Sequence, residues 1–153
     1  MSNKLYLRLR LILKLASLQV LAFYALPASA GTILITEQEA SLPAEKTVVA
    51  QRGISRAPQI DLVEPGDDGH SPLHFQVRFR SFGGSKISVS TLQLTYLKSP
   101  EVDLVPRVAK FVQSGGIDIP DAEIPPGDHF FRIAISDSEG RNRSSVFELK
   151  VAP

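Results

Sequence analysis

PPGDHFFRIAISDSEGRNRSSVFELKV, residues Pro125–Val151, decides the fold. In HFFRIAI, His129, Phe131, Ile133 and Ile135 share one face, and Phe130, Arg132 and Ala134 share the other. SDSEGRNR follows, with Gly140 free to take a positive φ. In SVFELKV, Phe147, Leu149 and Val151 alternate against Val146, Glu148 and Lys150. A period of two on either side of a polar, glycine-containing loop predicts a β-hairpin. The histidine, acids and arginines of the stretch then decorate a hairpin rather than line a site.

The same period runs through the residues upstream. LHFQVRFR (Leu73–Arg80) sets Leu73, Phe75, Val77 and Phe79 against His74, Gln76, Arg78 and Arg80. STLQLTYL (Ser90–Leu97) places Leu92, Leu94 and Tyr96 on one face, after a turn at Gly83-Gly84. QIDLV (Gln59–Val63) is a shorter β run, closed by the turn formers of EPGDDGHSP. One stretch has another period. Val105, Val108, Phe111 and Val112 recur at helical spacing, which predicts a short helix entered near Asp103 or Pro106 and stopped at Gly115-Gly116. Short strands are expected around Ile117–Ile119 and Ala122–Ile124. Six or seven short strands within about 95 residues predict an all-β fold, an antiparallel β-sandwich with one helical insertion.

The first thirty residues are of another kind. Lys4, Arg8, Arg10 and Lys14 precede an uncharged run, Leu15–Leu26, and then the small residues Ala28-Ser29-Ala30. That order predicts a signal peptide, 1–30, with export to the periplasm or beyond. The apolar run is too short to span a bilayer, so no membrane insertion is expected after cleavage. Residues 31–57 lack a sustained period and read as a flexible lead-in, with Thr32–Thr36 or Thr47–Val49 able to add to a sheet edge. The sandwich domain is expected over 58–153. Without the leader the chain carries 13 basic against 16 acidic groups, a net charge of −3. That balance offers no footprint for nucleic acid. There is no cysteine, which excludes disulfides, thiol chemistry and a lipid-modified N-terminal Cys.

The run Pro126-Gly127-x-His129-x-Phe131-x-Ile133-x-Ile135-x-Asp137-x-x-Gly140 resembles the penultimate strand and final turn of bacterial immunoglobulin-like domains. Fibronectin type III-like and cadherin-like modules are similar there, and APQIDLVEP resembles their first strand. The likeness covers Pro125–Val151 well and Pro58–Val151 more loosely. It departs where His129 replaces a corner tyrosine and where Arg141 replaces an asparagine after Gly140; the helical insertion at 102–112 is not typical either. The resemblance implies an immunoglobulin-like sandwich and an export route, not a reaction. It also implies that His129 is a buried corner residue and that Asp137 caps the turn with its side chain.

Candidate chemistry is thin. Glu139, Arg141 and Arg143 are expected on a solvated loop. Glu64, Asp67, Asp68 and His70 offer hard ligands but lack EF-hand spacing. His70 and His74 are four apart, but on a turn and a strand, so they do not form a zinc pair. Asn142-Arg143-Ser144 matches a glycosylation sequon by three residues only. No G-x-S-x-G and no phosphate-binding glycine loop are present. The expectation is a non-catalytic module without cofactor or metal, binding a protein or a cell-envelope component. Arg107 and Lys110, on the insertion, are its expected contact residues. The alternative is a metal-dependent carbohydrate-binding protein or enzyme using the acidic turn 64–70.

Overall fold

The computed structural model describes residues 31–45, 56–63 and 69–153. The expected leader, the Thr47–Val49 segment and the acids of the 64–68 turn lie outside them. The strands are β1 (Thr32–Ile33), β2 (Gln59–Val63), β3 (Leu73–Arg80), β4 (Ile87–Tyr96), β5 (Val102–Asp103), β6 (Val112–Gln113), β7 (Gly116–Glu123), β8 (Gly127–Asp137) and β9 (Asn142–Val151). Two single-turn helices interrupt them, α1 (Glu37–Ala40) and α2 (Val105–Val108), and a 3₁₀ turn, Ala109–Phe111, continues the second. One sheet runs β1-β7-β3-β2, with β6 also on β7; the other runs β5-β4-β8-β9. The fold is an all-β sandwich.

Alternation sets the register, because a one-residue slip would turn every apolar side chain to water. In β3 the expected inward set Leu73, Phe75, Val77 and Phe79 is buried and its neighbours are not. β8 and β9 pair without interruption from Gly127↔Val151 to Ser136↔Asn142, so the hairpin is as expected. Phe131, Ile133 and Ile135 from β8 meet Phe75 and Val77 from the other sheet in one core. Phe131 anchors it, its ring 5.7 Å from Phe75 and 5.6 Å from Tyr96.

Three features differ from the expectation. First, the sheets are not wholly antiparallel, since β1 pairs with β7 in parallel. Second, one strand, β7, occupies the place expected for two. Third, the compact unit begins at Gly31 rather than Pro58. Leu34 and Ile35 are as buried as any core residue, at 0% and 2% exposure. The segment that contains them straps one end of the sandwich. It joins β7 through β1 and reaches the other sheet through an Ala44↔Lys98 bridge and a Ser99 N–H donated to Pro43 O (2.9 Å). The sequence allowed Thr32–Thr36 to join a sheet edge, where β1 lies, but did not show that the segment belongs to the core, because a strap buries isolated side chains and needs no period.

Candidate functional site

Three polar clusters each contain a residue that the sequence singled out, His129, Asp137 and Arg107. The first is the corner at the start of β8. His129 is buried, and its Nε2 lies 2.7 Å from Pro125 O. A carbonyl oxygen can only accept, so Nε2 carries the proton and Nδ1 accepts from the Tyr96 hydroxyl, at 2.9 Å. Burial pushes the His129 pKa below its usual value and holds the ring neutral. Burial also pushes Tyr96 up to about 12, which keeps the hydroxyl a donor. The histidine thus ties the start of β8 to the backbone four residues upstream.

The second cluster is the β8–β9 turn. Asp137 Oδ1 accepts the backbone N–H groups of Glu139 and Arg141, both at 3.0 Å. Its Oδ2 accepts from Arg141 Nε at 2.7 Å and from Ser85 Oγ at 3.2 Å. Burial opposes ionisation of Asp137, but Arg141 and the two N–H groups outweigh it and hold the carboxyl below its ordinary range. Asp137 caps the turn, as the resemblance implied. Arg141 is not on a solvated loop: its guanidinium also reaches Phe82 O (3.2 Å) and ties the turn to the β3–β4 connection. Arg143 likewise bonds Pro58 O, at 3.2 Å.

The third cluster joins the insertion to the strap. Thr36 caps α1, with Glu39 returning the bond in a capping box. Arg107, projecting from α2, grips the Glu39 carboxylate with two bonds of 2.6 and 2.8 Å and also donates to Leu34 O at 2.9 Å. Held first by the Arg107 guanidinium, Glu39 has its pKa lowered to about 2. Expected as a partner contact, Arg107 is engaged inside the fold. Lys110 is exposed, its ammonium 4.7 Å from the centre of the Phe111 ring. The two residues are therefore not one surface pair. The spacing of Val105, Val108 and Phe111 placed the insertion, but no local signal named Glu39, 68 residues upstream of Arg107, as its anchor.

The remaining candidates separate. His74 and Asp118 pair at 2.6 Å on the exposed face of β3 and β7, and that bond to His74 holds Asp118 below its ordinary pKa. Arg80 pairs with Asp61 at 2.8 Å nearby. Exposed pairs of this kind are worth little each. His70 is exposed, and Glu64, Asp67 and Asp68 lie outside the described residues. Among the described residues no three acids or histidines gather as metal ligands. No protein-family model matches the chain, and comparisons with curated proteins and with solved structures found no match.

Proposed function

We propose that the chain is a non-catalytic, exported immunoglobulin-like module, periplasmic or secreted, that binds a protein or a cell-envelope component. Strand order supports the immunoglobulin-like part. β2-β3-β7 and β4-β8-β9 follow the A-B-E and C-F-G arrangement, with β5 in the place of C′. The chemistry-bearing groups support a non-catalytic role. A general acid or base must present a free atom to substrate, whereas both ring nitrogens of His129 and both oxygens of Asp137 and Glu39 are taken by the protein itself.

The observation that carries the binding reading is how the insertion is mounted. A minimal sandwich has no use for it, yet Leu104 and Val108 are fully buried and Arg107 clamps it to the strap. What it turns outward is Lys110 lying over Phe111. A contact residue carried on a backbone already anchored by the core loses less chain entropy on binding than one on a free loop. Capture from an envelope extract tests this. Lys110→Glu is expected to weaken partner capture about tenfold with the melting temperature unchanged, while Lys150→Glu on β9 leaves capture intact. Equal effects from the two reversals would remove the insertion from the interface. Arg107 reversal cannot serve as the probe, because it would place two carboxylates together inside the fold.

A further inference from the structure

We propose that hydrolysis of the Ala30–Gly31 bond makes a structural ion pair: the new α-ammonium of Gly31 is received by the Glu123 carboxylate, locking β1 to the sheet edge. This rests on the export reading. Glu123 already holds the strap by its carbonyl, which accepts from Leu34 N at 3.0 Å and Ile35 N at 3.3 Å. Its side chain folds over Gly31. A Cβ at position 31 would lie 2.6 Å from Glu123 Oε1 and 2.8 Å from its Cγ. The Gly31 nitrogen sits about 2.5 Å from that Cβ position, and so within about 5 Å of the same carboxylate oxygen.

Among the described residues no Arg or Lys pairs with this carboxylate. Among the described glutamates, Glu39, Glu45, Glu101, Glu139 and Glu148 each pair with an Arg or Lys, and only Glu37 and Glu123 have no such partner. Glu123 borders a groove of about 510 Å³ whose walls include Ile33, Ile124, Pro72 and Pro125. Beside apolar walls, a charge gains from a partner more than it would in open water. In the precursor the Gly31 nitrogen is a neutral amide and cannot supply one. Hydrolysis consumes one water; Ala30 leaves with the carboxylate and Gly31 keeps the amine. An α-amino group titrates near 8, so the amine is protonated at neutral pH. Glycine suits the position because any side chain there would compete with the carboxylate for space.

The test separates the two halves of the proposal. The first measurement is the intact mass of the protein recovered from the periplasm. A chain starting at Gly31 supports the processing step, and any other start overturns it. The second uses protein released from a fusion so that it begins at Gly31, whatever the cell does. Enzymatic acetylation of that amine is expected to lower Tm by about 2–4 °C. Glu123→Gln is expected to lower it similarly, and acetylating the Glu123→Gln protein to add nothing. Additive losses, or no loss on acetylation, would overturn the ion pair even with processing at Gly31 established.

Discussion

At the scale of single residues, His129 illustrates how a position can be legible while its partners are not. Strand parity turned it inward, and the structure puts it there. Its acceptor role toward Tyr96, 33 residues upstream, depended on how β4 lies against β8. The pairing has a pH signature. The unfolded imidazole titrates near 6.5, while burial lowers the folded value. Below about pH 6.5 the unfolded state therefore binds a proton that the folded state resists, so stability is complete above that pH and declines as pH falls toward the folded pKa. Urea titrations are expected to show a lower midpoint at pH 5 than at pH 7.5. His129→Phe should cost about 1–3 kcal/mol at pH 7.5, since the Tyr96 hydroxyl and Pro125 carbonyl lose their partner. It should also remove the slope just below pH 6.5. An unchanged slope would assign that titration to another group.

At the scale of elements, Gly115-Gly116 reads as a helix stop, yet the second glycine has a different job. It opens β7 with φ near 147°, and a Cβ there would sit 1.9 Å from Val77 O. β7 approaches β3 so closely that only hydrogen fits. Gly116→Ala is expected to cost about 2–4 kcal/mol, from backbone strain and forced separation of the strands. Gly115→Ala, with open space at its Cβ, should stay within about 0.5 kcal/mol. Equal costs in urea unfolding would restore the helix-stop reading. The bulge in β4 was equally invisible. Between Ser88 and Gln93 the ladder to β8 is interrupted, and Thr91 Oγ1 accepts the Ser136 N–H in place of a backbone partner, at 2.9 Å. A period of two reports which face a residue occupies and says nothing of where a strand leaves the ladder.

At the scale of the whole molecule, the strap makes residues 31–45 part of the domain. A chain beginning at Pro58 would lack Leu34 and Ile35, each worth about 1.5–3 kcal/mol when buried, and would leave Arg107 without Glu39. It is expected to unfold at a markedly lower urea concentration than the chain from Gly31, with a smaller m-value because less surface is buried. Identical curves would return the strap to the status of a lead-in. The sequence by itself determined the all-β class, the inward faces of β3, β4, β8 and β9, the hairpin that β8 and β9 form within Pro125–Val151 and the place of the insertion. Each of these follows from local periodicity and turn chemistry, which act over a few residues. Only the tertiary structure decided the order of strands, the parallel pairing of β1, the clamp between Arg107 and Glu39, and the brace of Arg141 on Asp137 and Phe82. Those depend on contacts whose geometry arises once two sheets have packed, when groups that no local pattern relates are brought within hydrogen-bond reach.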